Sequence, residues 1–356
     1  MSERNMGFAA VAVGAVLLLG GTSVFAISYN VVDLTVPGWT GSGAYGIGGG
    51  QQVGSATPPG AGNNHALLWS GTAASAIDLT PPGSNGSHGN DVDGGQQVGD
   101  ALGHAFLWSG TASSGVDLNP AGATFSQANG VSGGQQVGSA GFGGGEHAVL
   151  WSGTAASAID LNPHGFIGTF ALGVGGGQQV GYGNLANNGS HALLWSGTAA
   201  SAIDLNPAGM VSSWALGVAG GQQVGWATAT DYTKQHAFVW SGTAASAIDL
   251  NPTGCTYSNA KAIAGGQIVG TAGLYTNRRA CLWTSGSAAS AIDLGQFLPP
   301  GFTTSIADGI DASGNIVGQA WDSSGVHAIL WQPVPEPATL SLLALGGLAV
   351  IRKRRK

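Results

Sequence analysis

The chain has 356 residues, of which 64 are glycine and only 8% are charged. Its net charge of −7 excludes a protein that works by neutralising nucleic-acid phosphates, and two cysteines are too few for a disulfide framework. Eleven tryptophans, seven of them at regular spacing, argue against a disordered, glycine-rich stalk.

The first 26 residues have the organisation of a signal peptide. Arg4 precedes the uncharged run Gly7–Phe25, and Val24 and Ala26 stand at the −3 and −1 positions of a cleavage site. We therefore expect residues 1–26 to be removed by signal peptidase. An uncleaved membrane anchor is the alternative.

A unit of about 44 residues recurs seven times between residues 27 and 333. Each copy contains Gly-Gln-Gln-Val-Gly or a close variant, followed by a His-Ala-apolar-apolar-Trp segment. The segments end at Trp69, Trp108, Trp151, Trp195, Trp240, Trp283 and Trp331. Intervals of 39 to 48 residues between these tryptophans match the length of a four-stranded propeller blade.

Four short strands are predicted within each unit. In the first unit they are Ala44–Ile47, Gln51–Ala56, His65–Ser70 and Ala76–Leu79, each bounded by turn-forming residues. No segment between 27 and 333 has a helical apolar stripe. The sequence therefore predicts an all-β, seven-bladed β-propeller, with short helices only in the signal peptide and a C-terminal anchor.

The copies of an Asp-Leu pair indicate how the propeller closes. Six units end in this pair, with its aspartates at Asp78, Asp117, Asp160, Asp204, Asp249 and Asp293. The seventh unit lacks it, whereas Asp33-Leu34 stands unmatched near the N-terminus. We expect residues 29–34 to complete the last blade, because a closed ring has no free strand edges. An open β-solenoid is the alternative.

The repeated His, Trp and Asp residues are interpreted as structural, because seven near-copies around a ring cannot all be one active site. Each His is expected to hydrogen-bond locally, each Trp to pack between blades with its N–H bonded, and each Asp to accept turn hydrogen bonds. Cys281 replaces an apolar strand residue and is expected to be a buried thiol. A bridge between Cys255 and Cys281 is the alternative.

Loop variation separates the two faces of the predicted disc. The turns after the first and third strands are nearly constant and share one face, here called the constant face. The hairpins between the second and third strands and the loops between blades vary, and they share the opposite face, here called the variable face. Its candidate ligand-binding residues, suited to stacking and hydrogen bonding with sugars, are Tyr182, Trp226, Asp231, Tyr232, Trp321 and Asp322, with Asn187, Asn188, Phe125, Phe170, Trp214, Tyr257 and Phe302 nearby.

No known catalytic or metal-binding motif is found, so we expect a non-enzymatic protein without metal or cofactor. The competing hypothesis is a propeller-type polysaccharide lyase or hydrolase with a site drawn from His88, His164, Asp231 and Arg278. A fold alone gives no support for that chemistry.

The C-terminus has the organisation of a membrane-associated sorting segment. Pro335, Glu336 and Pro337 precede the apolar run 339–351, a predicted short transmembrane helix, and the chain ends in the basic cluster Arg352, Lys353, Arg354, Arg355 and Lys356. The basic cluster is expected to stay cytoplasmic. Without both terminal segments, four basic and fifteen acidic side chains remain, so the exported body carries about −11.

Two resemblances follow from these motifs. Residues 334–356 resemble a PEP-CTERM sorting signal, and His104–Trp108 and His236–Trp240 resemble the extracellular HAF repeat, from which other copies depart at Leu67, Val149, Leu193 and Arg279. The first resemblance implies processing by an exosortase near Pro335–Pro337 in a Gram-negative bacterium, and association with exopolysaccharide at the cell surface or in the biofilm matrix. Neither implies catalytic residues.

Overall fold

A computed structural model of the protein describes residues 27–186, 189–229 and 234–335. Residues 29–334 form one compact unit of seven four-stranded antiparallel sheets, arranged around a central channel. The prediction of an all-β, seven-bladed propeller with four-stranded blades is therefore confirmed.

The strands are numbered in chain order, and each blade runs from an inner strand at the channel to an outer strand at the rim. Blade 1 contains β2 (Thr40–Gly48), β3 (Gln51–Thr57), β4 (His65–Trp69) and β5 (Ile77–Asp78). Blade 2 contains β6 (Ser87–Asp93), β7 (Gln96–Ala101), β8 (His104–Trp108) and β9 (Val116–Asp117). Blade 3 contains β10 (Phe125–Ser132), β11 (Gln135–Phe142), β12 (Gly145–Trp151) and β13 (Ile159–Asp160). Blade 4 contains β14 (Gly168–Gly175), β15 (Gln178–Asn184), β16 (Ser190–Trp195) and β17 (Ile203–Asp204). Blade 5 contains β18 (Ser212–Ala219), β19 (Gln222–Thr228), β20 (His236–Trp240) and β21 (Ile248–Asp249). Blade 6 contains β22 (Tyr257–Ala264), β23 (Gln267–Leu274), β24 (Asn277–Trp283) and β25 (Ala291–Asp293). Blade 7 contains β26 (Thr304–Ile310), β27 (Ile316–Asp322), β28 (Gly325–Pro333) and the N-terminal strand β1 (Tyr29–Asp33).

Blade 7 combines strands from both ends of the described chain. Strand β1 runs antiparallel to β28, with a register that extends from Tyr29↔Pro333 to Asp33↔Ile329. Next to it, Leu34 packs in one buried cluster with Val317 and Leu330. The N-terminal strand thus takes the outer position that the Asp-Leu strands hold in the other six blades.

The constant face is built from the repeated glycines and glutamines. At the first hairpin Gly49 and Gly50 both have positive φ, 59° and 80°, as a two-residue type I′ turn requires. In blade 2, the side chain of Gln97 donates to Gln51 of blade 1 and accepts from the Gly110 N–H at 2.7 Å. The Gly-Gly-Gln-Gln segment therefore forms the turn and also joins neighbouring blades.

The loops between the third and fourth strands differ from the sequence-based expectation of no helix in the propeller body. Six of them contain a single 3₁₀ turn, and a seventh turn begins at the Leu of the last Asp-Leu pair. These turns are Ala73–Ser75, Ala112–Ser114, Ala155–Ser157, Ala199–Ser201, Ala244–Ser246, Ala288–Ser290 and Leu294–Phe297. In the first loop the Ser75 hydroxyl accepts from the Ser70 N–H and donates to the Thr72 carbonyl, which stabilises a turn too short to show a helical pattern. The helices predicted at residues 1–26 and 339–351 lie outside the described residues.

The core consists of separate apolar layers between adjacent blades. Trp151 of blade 3, for example, is fully buried with Val98 and Leu107 of blade 2. The prediction that each Trp N–H finds a partner is wrong for most copies. Of the seven repeated tryptophans, all within the described residues, Trp283 and Trp331 donate their N–H groups to backbone carbonyls of the preceding blade. Those of Trp69, Trp108, Trp151, Trp195 and Trp240 have no partner among the described atoms. Ring packing, rather than hydrogen bonding, therefore holds these residues in place.

Candidate functional site

The repeated histidines and aspartates pair with each other at the variable face. In six blades Nδ1 of the His within the first three residues of the third strand lies 2.7–2.8 Å from Oδ2 of the Asp in the outer strand. The other carboxylate oxygen accepts a backbone N–H two residues later, as Asp78 does from Thr80. The prediction that each His hydrogen-bonds locally and that each Asp accepts a turn hydrogen bond is confirmed in these six blades. Sequence reasoning missed their pairing, which the constant 13-residue separation within blades 1 to 5 could have revealed.

One cross-strand position on the inner strands carries a different pair of residues in every blade. In each blade, a residue of the inner strand pairs at this position with the second-strand residue that follows the Gly-Gln-Gln-Val-Gly segment. These seven pairs are here called the inner ring. The pairs are Gly43–Ser55, His88–Asp100, Gln127–Ser139, Phe170–Tyr182, Trp214–Trp226, Asn259–Thr271 and Ile306–Gln319. The inner ring thus has a polar sector in blades 1 to 3 and an aromatic sector in blades 4 and 5.

The aromatic sector is a continuous cluster of four rings, three of which are stacked. Tyr182 lies 4.7 Å from Phe170 and 3.8 Å from Trp214, nearly parallel to both, and Trp214 contacts Trp226 at 5.1 Å. Both faces of Tyr182 are therefore covered, and Trp226 is only 5% exposed. Burial also raises the pKa of Tyr182 to about 12. These rings support each other across the blade boundary, because ring stacking buries more apolar area than a solvated platform. The ligand-binding role of Tyr182 and Trp226 stays a prediction, and this packing leaves little of Trp226 open to a ligand.

A more accessible aromatic cleft lies between blades 6 and 7. It has a volume of about 250 Å³ and is lined by Tyr275, Thr276, Arg278, Thr304, Ile306 and Trp321. Tyr275 belongs to the hairpin between β23 and β24 and is 50% exposed. Trp321, a predicted site residue, is half-buried at the end of β27, opposite Thr304. This cleft brings aromatic rings and hydroxyl groups from two blades to one concave surface.

Arg278 is held at this cleft by two tyrosines. Its guanidinium carbon lies 4.6 Å from the ring centre of Tyr257 and 4.8 Å from that of Tyr275. Its Nε–H donates to the Tyr275 carbonyl at 3.1 Å. Sequence reasoning named Arg278 and Tyr257 separately and missed Tyr275. The sequence signal for this contact was the tyrosine that stands three residues before an arginine in the hairpin.

The predicted Asp322 lies beside the cleft in a cluster that superficially matches a nucleophilic triad. His327 contacts Ser324 Oγ through Nε2 at 2.9 Å and Asp33 Oδ2 through Nδ1 at 2.8 Å. However, the Ser324 hydroxyl and backbone N–H both also lie 2.7 Å from Asp322 Oδ1, and these contacts lower the pKa of Asp322. A carboxylate is a stronger acceptor for the one hydroxyl proton than an imidazole is, so the serine is not activated. Asp322 instead stabilises the turn between β27 and β28 through these contacts with Ser324.

The channel wall is formed by seven bulged residues of the inner strands. A register shift occurs at the same place in every blade, at Tyr45, Asn90, Asn129, Leu172, Leu216, Lys261 and Asp308. Blade 1 has a second shift between Thr40 and Gly43. Asn90 and Asn129 each donate to a backbone carbonyl of the next blade, at 2.8 and 2.9 Å. Lys261 forms an ion pair with Asp308. The channel, about 210 Å³ in volume, is therefore lined in part by groups that join neighbouring blades, namely Asn90, Asn129, Lys261 and Asp308.

The remaining predicted residues are distributed as follows. Asp231, Tyr232, Asn187 and Asn188 lie outside the described residues, as do Glu336, Pro337 and the basic cluster. Of the proposed enzyme residues, His88 lies in blade 2, His164 after blade 3 and Arg278 in blade 6, so the structure does not bring them together. His88 is paired with Asp100 at 3.2 Å, and that hydrogen bond raises its pKa.

Both cysteines lie among the described residues, and the prediction of no metal site is compared with those residues alone. Both cysteines are free, and Cys281 is 4% exposed, so its burial raises the pKa of the thiol. Among the residues described, no group of three or more His, Cys, Asp or Glu side chains is placed to hold a metal ion.

Comparison with known proteins identifies the C-terminus. Residues 333–356 match the family model of the PEP-CTERM protein-sorting motif. This segment is a PEP-CTERM sorting motif. It marks an exported protein that is sorted by exosortase, and it indicates transient membrane anchoring in a Gram-negative bacterium. No curated protein matches the chain.

Solved structures resemble the propeller in fold. An oligogalacturonate lyase in complex with manganese superposes with a TM-score of 0.54 at 10% identity, over 88% of this chain and 97% of the other. The acylaminoacyl peptidase of Pyrococcus horikoshii gives 0.53 at 10% identity, over 86% of this chain and 54% of its own, so this chain spans about half its length. The β-propeller domain of the Trilobed protease from Pyrococcus furiosus gives 0.50 at 8% identity, over 82% and 92%. These likenesses show the fold alone.

None of the helices in the described ranges is long and apolar enough to cross a membrane. The apolar run 339–351 lies outside those ranges.

Proposed function

We propose that this chain is a non-enzymatic surface or biofilm-matrix protein that binds polysaccharide in the cleft between blades 6 and 7. The observation that carries the proposal is the meeting of Tyr275 and Trp321 with Thr276 and Thr304 at one concave site on a rigid fold. Aromatic faces can stack on the C–H faces of sugars, while hydroxyl groups bond to theirs. The sorting motif supports a site of action outside the cytoplasm.

The proposal also covers how the protein is processed at both ends and where its propeller domain remains. Signal peptidase removes residues 1–26, exosortase acts near Pro335–Pro337, and the domain formed by 27–333 remains at the surface or in the matrix. We further infer that the pairing of β1 with β28 is the closure of the ring, so that the variable face stays rigid during binding. The resemblance of the repeats to HAF repeats supports an extracellular role.

The test uses the purified protein with immobilised polysaccharides. Tyr275→Ala and Trp321→Ala are each expected to weaken glycan binding by about tenfold or more, because each removes one ring from the cleft. Phe125→Ala is the matched control, since Phe125 is a similarly exposed ring of the variable face, at 44% against 50% for Tyr275, but lies in blade 3. Its binding is expected to equal that of the wild type.

Two outcomes would contradict the proposal. Equal binding by the wild type and both cleft variants would remove the cleft as the site. Release of new reducing ends or of unsaturated sugars from the polysaccharide would instead support the competing lyase or hydrolase hypothesis.

A further inference from the structure

Positive charge is scarce in the propeller, which makes the position of each basic side chain informative. The body carries about −11, with only Lys234, Lys261, Arg278 and Arg279 as basic residues. Lys261 is neutralised by Asp308 in the channel wall. Arg279 packs beside Gly295, close to the carboxylate of Asp293. Within the described ranges, Arg278 is the basic side chain that lines an open cleft.

The environment of Arg278 leaves its terminal nitrogens available to a ligand. The rings of Tyr257 and Tyr275 lie against the guanidinium, and its bonded donor is Nε–H. No carboxylate of the described residues forms an ion pair with it. Contact with two rings already restricts the rotamers of the Arg278 side chain, so less side-chain entropy is lost when a ligand binds. A planar guanidinium held in this way suits bidentate recognition of a planar anion.

We propose that the cleft selects an acidic glycan, with Arg278 bonded to the carboxylate of a hexuronate unit and with Tyr275 and Trp321 in contact with the sugar rings. This inference rests on the proposed function and adds the class of ligand. A carboxylate on a pyranose ring lies within reach of both a cation and a neighbouring ring surface. The acidic remainder of the body repels a polyanion, so binding is local to the cleft, and salt screens both this repulsion and the attraction to Arg278.

The experiment compares two forms of one polymer, polygalacturonate and its fully methyl-esterified form, in buffer with a chelator. The wild type is expected to bind the acid form at least about fivefold more tightly. Arg278→Gln is expected to lower affinity for the acid form about tenfold or more and to leave the ester unchanged, and Arg278→Lys to give an intermediate loss because it keeps the charge without the planar fork. Arg279→Gln is the matched control, expected to bind both forms as the wild type does.

The outcomes separate this inference from the proposed function. If both polymer forms bind equally, or if Arg278→Gln binds the acid form normally while Tyr275→Ala still abolishes binding, the hexuronate inference is wrong and the glycan site stands. If dextran sulfate competes better than polygalacturonate and this competition requires Arg278, a sulfate ligand replaces the carboxylate. If no glycan binds in a Tyr275-dependent way, both proposals fail. Unchanged thermal unfolding of each variant excludes misfolding as the cause.

Discussion

Asp91 provides a sharp test of how the propeller responds to pH. The position after the bulge is Gly or Ala in the other six blades, and only blade 2 places a carboxylate there. Asp91 is partly buried in the channel wall, where its two oxygens accept the Val92 and Val131 N–H groups at 2.8 and 2.9 Å. Burial nevertheless raises the pKa of Asp91 to about 6, because those hydrogen bonds only partly offset the loss of hydration.

A raised carboxyl pKa makes the protein less stable at higher pH. Between about pH 4 and pH 6 the folded state holds a proton on Asp91 that the unfolded state has released, so the free energy of unfolding falls as pH rises. A shift from 3.8 to about 6 corresponds to about 3 kcal/mol at most. Because Asp91 is only partly buried, we expect a loss of about 1–3 kcal/mol, complete at about pH 7.

Asp91→Gly is the informative substitution, since glycine occupies this position in five other blades. We expect the stability of the variant relative to the wild type to rise by about 1–3 kcal/mol between pH 4 and pH 7. Urea unfolding followed by tryptophan fluorescence at several pH values measures it. The Val131 N–H loses its acceptor in the variant, which shifts the free energy of unfolding by the same amount at every pH. The His–Asp pairs are present in both proteins, so their pH dependence cancels in the comparison. Parallel stability curves for the two proteins would refute the reasoning.

Three further predictions concern the repeat itself. Gly181→Ala is expected to lower the unfolding temperature strongly, because its Cβ would lie 1.8 Å from the Phe170 carbonyl oxygen, whereas Gly143→Ala, in open space, is expected to have little effect; a thermal melt distinguishes them. Gln136→Ala is expected to cost about 1–3 kcal/mol in urea unfolding, because the Gly153 N–H loses its 2.7 Å acceptor, and a cost below about 0.5 kcal/mol would contradict this role. His147→Ala is expected to cost no more than about 1 kcal/mol by the same measurement, because its partner Asp160 is 52% exposed and water replaces the lost bond.

Much of the fold is predictable from the chain because each blade is specified locally. The Gly-Gly turns require positive φ, the third strand is apolar on both sides of its pleat, and the tryptophan spacing sets one blade per unit. Strand limits were less accurate. In blade 1 the inner strand begins at Thr40 rather than Ala44, and the outer strand is only Ile77–Asp78, because pairing with neighbours decides where a strand ends.

The candidate site was less predictable, because it depends on contacts between blades. Tyr182 and Trp214 stand 32 positions apart along the chain, yet their rings lie 3.8 Å apart, and this contact covers a surface that the sequence suggested was open. Tyr275 and Trp321 meet at one cleft for the same reason. A linear pattern shows that such residues lie on the variable face, but the ring geometry decides which side chains become neighbours.

By itself, the sequence determined the number of blades, the two faces of the disc and the sorting motif, since all three are encoded in short contiguous segments. Only the tertiary structure decided which aromatic rings bury each other and which line an open cleft with Arg278. Burial is a property of the assembled ring, in which every inner-ring residue gains neighbours from the blades on either side.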